Sequence, residues 1–483
     1  MISAVTKLAM GLRAGKWLAV AVVATAPAVG LAQQGDKAAP AHPNIIMVYV
    51  DDMGYADISS FATKPLDVKT PHIDKMASEG TKFYQYYSAM PICSPSRAAV
   101  LSGMFAAETG LTSYLQTREG NYENDQNDYF DPALAFLPKS FKAAGYATAH
   151  VGKWHMGGGR DVDNAPSMGE YGHDEFYGTW ESPDRDPKLG TIHAPWDRRL
   201  VPGQVERHER TEYMVDKTLD FFQRNEGKPR FVTLWLDDMH TPFWPSPEML
   251  EKYGGDLERD NSIANFYGVL EEMDKQIGRL IEGLKTQGID NETIVFLTGD
   301  NGPAPHYEHR RNDGMRGMKL SLYEGGIRQP FIIRWPGKVP AQKENRETVL
   351  CAVDLLPSLT AMAGIPMVPE AEGKAVGEDL SAALLGETPK RTKPILWEYG
   401  RNAAPPRPKA PEDRSPSLGI RSGDFKLLVD DGMRNAELYN VVKDPYEKTN
   451  LADKRTTMVR ELGHQVINWS RTLPHRTHPY PAE

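Results

Sequence analysis

The chain has 483 residues, and its 56 Lys and Arg against 65 Asp and Glu give a net charge of −9. Hydrophobic residues make up 40 % and charged residues 25 %, proportions that are typical of a soluble globular protein and exclude a largely disordered chain. The lack of a basic excess argues against a nucleic-acid partner, because proteins bind phosphate backbones by displacing counterions with Lys and Arg.

The first 32 residues differ from the rest of the chain. A basic lead at 7–16 precedes an almost wholly apolar run at 17–31, which ends in small residues suited to cleavage. This pattern predicts a secretory signal peptide over 1–32. The alternative is a membrane anchor, which Pro27 and the short apolar run disfavour. We therefore expect an exported protein without stable membrane insertion, in the bacterial periplasm or released from the cell.

Beyond a polar linker at 33–42, apolar runs alternate with helical patterns. The runs lack polar alternation, which favours strands buried on both faces of a sheet. They are residues 45–50, 147–151, 231–236, 294–297 and 331–333. The clearest amphipathic helix spans 262–287. Together these elements predict an α/β domain over 43–370, with a large, mostly parallel sheet flanked by helices.

The remaining residues, 371–483, predict a small C-terminal subdomain. It includes a surface loop at 401–416 that is rich in Pro and charged residues. Turns then separate short strand-like pieces, which predicts an antiparallel sheet. These pieces are 417–421, 425–429 and 436–439, and a helix is expected near 455–470.

Polar clusters follow four of the predicted strands, at 51–52, 152–155, 237–242 and 299–302. Asp or Asn after a single strand is often only a turn or helix cap. If the four strands are parallel neighbours, however, all four clusters meet at one edge of the sheet, where α/β proteins bind ligands. The oxygen donors among them suit Ca²⁺ or Mg²⁺ rather than Zn²⁺.

The two cysteines have different sequence contexts. Cys93 precedes Ser94 and Pro95, which favour a helix start, and a helix N-terminus favours a thiolate or a bound anion. Chemistry alone leaves two interpretations of Cys93, a buried structural thiol or a reactive nucleophile. Cys351 lies in an apolar run and is typical of a buried thiol. Counting alone leaves a Cys93–Cys351 disulfide open, although the context of Cys93 argues against it.

Residues 93–97 (CSPSR), followed by 101–103 (LSG), resemble the signature of type I sulfatases. Further segments match motifs of this family in the same order, from about residue 43 to 453. They are 44–55, 70–74 (TPHID), 152–155 (GKWH), 299–302 (GDNG), 317–319 (GMK), 324–328 (EGGIR), 437–440 (ELYN), 444–445 and 450–451. The resemblance implies the alkaline-phosphatase-like fold and the hydrolysis of sulfate esters.

The resemblance also implies the groups that carry the reaction. A maturation enzyme would oxidise Cys93 to formylglycine (3-oxoalanine), whose hydrate attacks the sulfate sulfur. The residues that match catalytic groups of the family are Cys93, Arg97, Lys153, His155, His240 and Lys319. The metal site that the resemblance implies holds a single Ca²⁺ ion and consists of Asp51, Asp52, Asp300 and Asn301 together with the modified Cys93.

By the same resemblance, Arg97 and Lys153 hold the hydrated aldehyde, and His155 helps to deprotonate its remaining hydroxyl. His240 and Lys319 bind sulfate, and one of them protonates the leaving oxygen. Asp237, Asp238, His173, His193 and His306 match no motif, and we assign them no role.

Two other functions remain as alternatives. The first is a phosphonate or phosphate-ester hydrolase on the same scaffold, and the second is a non-catalytic protein that binds sulfated glycans. The aromatic and Arg residues in the loops at 112–130, 160–200 and 401–416 suit a sulfated sugar. We therefore expect a sulfated carbohydrate as the natural substrate and aryl sulfates as model substrates.

Overall fold

The computed structural model describes residues 42–159, 161–190, 203–259 and 261–479. The predicted signal peptide at 1–32 and all of the linker except His42 lie outside these residues, as do Arg160 and residues 191–200 of the loop at 160–200. Within the described residues, no helix combines the length and the apolar character needed to cross a membrane.

The described strands are β1 Asn44–Val50, β2 Thr81–Tyr87, β3 Ala147–Gly152, β4 Glu175–Gly178, β5 Arg230–Leu236, β6 Thr293–Gly299, β7 Arg328–Arg334, β8 Lys343–Asn345, β9 Leu350–Cys351, β10 Ile395–Glu398, β11 Leu418–Ser422, β12 Phe425–Asp430 and β13 Arg434–Asn440. The described α-helices are α1 Pro71–Ser78, α2 Cys93–Ser102, α3 Arg118–Glu123, α4 Phe136–Ala143, α5 Arg210–Arg224, α6 Pro247–Tyr253, α7 Ile263–Thr286, α8 Glu324–Ile327, α9 Leu355–Ala363, α10 Ser381–Leu384 and α11 Thr456–Ser470.

Nine strands form a large mixed sheet in the order β4-β3-β5-β1-β6-β7-β2-β8, with β9 paired to β2. The five strands from β4 to β6 in this order are parallel, whereas β7 is antiparallel to both β6 and β2. All residues of β1, β5 and β6 are buried, because helices cover both faces of the sheet. The predicted α/β architecture is therefore confirmed.

Alternate residues of β1 point to separate hydrophobic cores on the two faces. Met47 packs in a core with side chains of α2, α4 and α9, and Val48 packs in a core with side chains of α1, α5 and α7. Helix α7 confirms the amphipathic helix predicted at 262–287, and the Ser262 side chain caps its first turn by accepting a hydrogen bond from the Asn265 amide. These packed layers fix the edge of the sheet at which the parallel strands end.

A second, antiparallel sheet has the order β10-β11-β12-β13. Leu427 of β12 and Leu438 of β13 pack with Val466 and Ile467 of α11 in a third core. The small C-terminal sheet and its helix are therefore confirmed, and the sheet gains the unpredicted strand β10. The domain boundary between 370 and 371 stays a prediction.

Candidate active site

The four predicted polar clusters meet at one edge of the large sheet. Strands β3, β5, β1 and β6 are parallel neighbours, so their carboxyl ends lie side by side. Backbone hydrogen bonds continue the sheet into the clusters. The amides of Asp51, Lys153 and Asp300 donate to the carbonyls of Leu236, Trp235 and Val50, respectively. The convergence expected from the sequence is thus found.

Cys93 is the first residue of α2 and is buried beside these strand ends. Its Sγ lies 4.0 Å from Asp52 Oδ1, and Asp51, Cys93 and Asp300 converge closely enough to share one metal ion. Burial and the nearby Asp51 carboxylate raise the pKa of the thiol well above its usual value. The site therefore favours the neutral thiol, whereas the helix terminus alone would favour a thiolate. Both Cys93 and Cys351 are free and buried, so the structure contains no disulfide between them.

Three cationic side chains bind the three carboxylates of the site. Arg97 donates from Nε and Nη2 to Asp300 Oδ2 at 2.9 and 2.7 Å, and its guanidinium lies over the Trp235 ring. Lys153 Nζ lies 2.5 Å from Asp51 Oδ2. Lys319 forms the third pair, with its Nζ 2.8 Å from Asp52 Oδ2.

Two oxygen atoms at the centre of this network accept no hydrogen bond, namely Asp51 Oδ1, which has Arg97 Nη2 at 3.3 Å, and Asn301 Oδ1. The side-chain Nδ2 of Asn301 donates to Asp52 Oδ1 at 2.7 Å, and the side-chain oxygen of Asn301 is left without a donor. Buried oxygens without a donor are unfavourable unless something else binds them. Carboxylate and amide oxygens are the ligands that Ca²⁺ prefers, so this donor set fits a hard divalent cation.

The carboxylates differ in how readily they ionise. Burial opposes ionisation of Asp51, but Lys153, His240 and Arg97 hold its pKa well below the usual range. Burial raises the pKa of Asp300 to about 7, with Arg97 opposing the rise and the other carboxylates adding to it. A cation bound among these groups would lower the pKa of Asp300 by stabilising its charge.

Both predicted histidines lie at the site, and their surroundings favour the neutral imidazole. His155 Nε2 lies 3.2 Å from the Leu115 carbonyl, and burial lowers the pKa of the ring well below its usual value. His240 is 27 % exposed, its Nε2 lies 3.8 Å from Asp52 Oδ2, and desolvation with the nearby lysines lowers its pKa to about 4. Asp52 and His155 also have positive φ angles of 53° and 54°. Strained backbone of this kind is concentrated at functional sites.

Two residues left without a role support the loop that carries His240. Arg207 donates to the carboxylate of Asp237 and to the backbone carbonyls of Asp237 and His240, and Asp238 accepts from the Thr211 hydroxyl. No sequence pattern points to Arg207, because its partner lies 30 residues away along the chain.

The ring of His173 packs edge-on against that of Trp154 in the 152–155 motif, with their centroids 6.1 Å apart. His173 is buried beside His150, and His306 is half-buried, while His193 lies outside the described residues. The sequence also missed Glu181, a buried carboxylate 3.5 Å from Lys153 Nζ. It follows the four-residue strand β4, which is too short to show a hydrophobic pattern.

Comparison with known proteins identifies the family to which these features belong. Residues 43–365 match the family model described as Sulfatase, and residues 316–471 match the model described as N-sulphoglucosamine sulphohydrolase, C-terminal. The chain is 27 % identical to the N-acetylgalactosamine-6-O-sulfatase of Bacteroides thetaiotaomicron, over 87 % of this chain and 91 % of the relative. It is 30 % identical to the N-acetylgalactosamine-6-sulfatase of Canis lupus familiaris, over 76 % and 70 %, respectively.

A solved structure supports the same assignment. The crystal structure of Ps i-CgsB in complex with k-i-k-neocarrahexaose matches with a TM-score of 0.72 at 25 % identity, over 90 % of this chain and 94 % of that one. Since the first family model alone spans more than half of the sequence, the chain belongs to the sulfatase family, whose members hydrolyse sulfuric esters.

Proposed function

We propose that the protein is an exported sulfatase that removes sulfate from a carbohydrate, using formylglycine formed from Cys93 and one Ca²⁺ ion. The observation that carries this proposal is the pair of unbonded oxygens, Asp51 Oδ1 and Asn301 Oδ1, in a cluster that also contains the buried Cys93. A structural cluster of this kind would have its acceptors filled by protein donors. Here Asn301 Oδ1 is left for a cation, and Asp51 Oδ1, which has only the Arg97 guanidinium at 3.3 Å, is available to the same ion.

The charges of the site fit a cation and a sulfate together. Three carboxylates are balanced by three cationic side chains, so a bound divalent cation would make the site positive and attract the single negative charge of a sulfate monoester. The three pairs are Asp51–Lys153, Asp52–Lys319 and Asp300–Arg97. In this proposal Asp51, Asp52, Asp300 and Asn301 hold the Ca²⁺ ion. When bound, it polarises the sulfate oxygens and lowers the pKa of the nucleophilic hydroxyl.

The other side chains orient the reacting groups and move protons. Formylglycine at position 93 would supply, as its hydrate, the nucleophilic hydroxyl. Arg97 and Lys153 hold that group in place, and His155 accepts a proton through Nδ1, which has no hydrogen-bond partner. His240 and Lys319, which both lie beside Asp52, bind the sulfate, and one of them provides the proton for the leaving oxygen.

The relatives support a carbohydrate substrate. Two are named for sulfated N-acetylgalactosamine, and Ps i-CgsB was solved with k-i-k-neocarrahexaose. We therefore propose a carbohydrate sulfate ester as the natural substrate, with aryl sulfates as model substrates. The predicted signal peptide supports export to the periplasm, and formylglycine would require a maturation enzyme as a partner.

The test combines the mass of the peptide that carries Cys93 with turnover of several esters. In active protein from its native host we expect the mass of formylglycine, loss of activity in Cys93→Ala, and faster turnover of an aryl sulfate than of a phosphonate or phosphate diester. Full turnover by Cys93→Ala would overturn the mechanism. Much faster phosphonate turnover would favour the phosphoryl alternative, and binding of sulfated glycans without turnover by formylglycine-containing protein would favour the non-catalytic one.

A further inference from the structure

Glu181 is a buried carboxylate beside the site that belongs to none of the sequence motifs. It is 4 % exposed and lies on the loop after β4. Its Oε2 lies 3.5 Å from Lys153 Nζ, and its Oε1 lies 3.6 Å from His155 Nε2. Because burying a carboxylate is costly, its place against two proposed catalytic side chains needs a reason.

The neighbours of His155 determine which ring nitrogen carries the hydrogen. The Leu115 carbonyl can only accept a hydrogen bond and lies 3.2 Å from Nε2, so Nε2 is the protonated nitrogen. Nδ1 then keeps a free lone pair, and it has no hydrogen-bond partner. Glu181 thus places its negative charge against the N–H edge of the imidazole, opposite the nitrogen that is free to accept a proton.

We propose that Glu181 is a positioning residue that holds His155 with Nε2 protonated and stabilises the ring when Nδ1 accepts a proton. This inference rests on the proposed function, in which His155 acts as a proton acceptor. An acid that orients a basic histidine through its other nitrogen is a recurrent arrangement in enzymes. Here the ammonium of Lys153 lies 3.5 Å from the other carboxylate oxygen, without a hydrogen bond between them.

The protonation of Glu181 is finely balanced. Burial raises the pKa of Glu181 to about 7, and the ammonium of Lys153 opposes the rise. A positive charge on His155 would favour the ionised carboxylate in the same way, so Glu181 and His155 stabilise each other as the imidazole gains its proton.

The first test needs no substrate. Side-chain nitrogen NMR of His155 is recorded in the metal-loaded wild type, in Glu181→Gln and in Glu175→Gln, a matched control in an exposed ion pair with Arg224. His155→Asn provides the assignment. We expect one Nε2-protonated tautomer in the wild type and the control, and a mixture of tautomers in Glu181→Gln. An unchanged tautomer in Glu181→Gln would show that Leu115 is sufficient, which overturns the proposal.

The second test follows turnover of an aryl sulfate. We expect Glu181→Gln to lower kcat by about 10- to 100-fold with little change in KM, as when the partner of a catalytic histidine is removed. The loss should be largest above about pH 7, where Glu181 is ionised, and should shrink at lower pH as Glu181 gains its proton and comes to resemble Gln. Glu175→Gln should behave as the wild type. A merely structural defect would lower the melting temperature and leave the shape of the pH profile unchanged.

A double-mutant cycle separates this role from a general loss of activity. In a His155→Ala background, Glu181→Gln should cause no further loss. If it lowers the rate equally in both backgrounds, Glu181 does not act through His155 and the proposal fails. Failure of the proposed function has a different signature, because the formylglycine-containing wild type would then be inactive on every sulfate ester, while the tautomer measurement still decides the role of Glu181.

Discussion

Two buried clusters of charged residues in this protein differ in how their oxygen atoms are used. The first is the candidate active site, where Asp51 Oδ1 and Asn301 Oδ1 accept no hydrogen bond. The second joins the small sheet to the large domain, and we call it the junction cluster. It consists of Glu324, Lys426 and Glu447, with Tyr87 and Arg328 at its edge.

In the junction cluster, protein donors surround the carboxylates. Lys426 of β12 is fully buried and lies 2.8 Å from both Glu324 and Glu447. The Tyr87 hydroxyl donates to Glu324 at 2.6 Å, and the Glu324 amide donates to Glu447 at 2.7 Å. Glu324 lies in one of the segments that resemble sulfatases, so this motif residue serves the packing of the two sheets.

The difference separates a structural cluster from a catalytic one. Charge is closely paired in both, yet at the site Asn301 Oδ1 has no protein donor and Asp51 Oδ1 has only the Arg97 guanidinium, at 3.3 Å, whereas Glu447 Oε1 in the junction cluster lies 2.8 Å from Lys426. Removing one charged residue should therefore have different consequences in the two clusters. At the site it should reduce ligand binding and activity, and in the junction cluster it should reduce stability.

The largest expected effect is on activity, in Asp52→Asn. This change removes a proposed Ca²⁺ ligand and the partner of Lys319, so kcat/KM for an aryl sulfate should fall at least about 100-fold, as when a preorganised electrostatic group is lost. Calorimetry should show weaker Ca²⁺ binding, while urea unfolding of the metal-free protein changes little. The exposed Asp424→Asn serves as the control. Undiminished Ca²⁺ affinity in Asp52→Asn would contradict the proposed ligand set.

Lys426→Met should have the converse effect. Without the ammonium, Glu447 loses its cationic partner and faces Glu324 in the interior, so the free energy of unfolding should fall by about 3–5 kcal/mol even though Arg328 and Tyr87 still contact Glu324. Urea denaturation measures the loss, with the exposed Lys443→Met as the control. The activity of the folded fraction should stay close to that of the wild type. A loss of stability no greater than in the control would show that the junction cluster is not structural.

The sequence predicts the parallel strands that carry the candidate active site much better than it predicts the antiparallel strand β2. Strands β1, β3, β5 and β6 are continuous apolar runs, and because parallel strands end at one edge, their polar ends can be brought together from the sequence pattern alone. Strand β2 could not be found in this way. Its sequence TKFYQYY mixes polar and aromatic residues, and its antiparallel pairing with β7 depends on chain crossings that no local pattern contains.

The members of the site were identified from motifs, but their environments were not. The helix start at Cys93 predicts a favoured thiolate, and only the packed structure shows that burial reverses this preference. Likewise, the pairing of Lys319 with Asp52 joins residues 267 positions apart. Glu181 had no motif at all, and only its distances to Lys153 and His155 give it a role.

Two neutral histidines that are buried near the site should make the stability of the protein depend on pH. Burial, with a contribution from Lys142, lowers the pKa of His173 to about 3, and His150 is lowered well below its usual value. The unfolded chain binds these protons near pH 6.5, whereas the folded chain does not. The free energy of unfolding should therefore keep its full value, as far as these histidines are concerned, above about pH 6.5. Below this pH it should fall by up to about 1.4 kcal/mol per pH unit for each histidine.

Urea unfolding of His173→Phe at several pH values tests this expectation. Neither ring nitrogen of His173 has a hydrogen-bond partner, so Phe keeps the packing and removes the titration. The pH dependence should become shallower by the share of one histidine, and the exposed His464→Gln should leave it unchanged. An equal slope in His173→Phe and the wild type would show that His173 is already protonated in the folded state.

The smallest effect should come from an ion pair that has the best geometry but lies at the surface. Arg224 donates to both oxygens of Glu175 at 2.8 and 2.7 Å, and the Arg224 side chain is 45 % exposed. Since water still solvates both groups in the folded chain, a double-mutant cycle of Arg224→Gln and Glu175→Gln should give a coupling below about 1 kcal/mol. The distances match those in the junction cluster, so a larger coupling would mean that geometry rather than burial sets the energies there. A small coupling would leave burial as the reason why Lys426 matters and Arg224 does not.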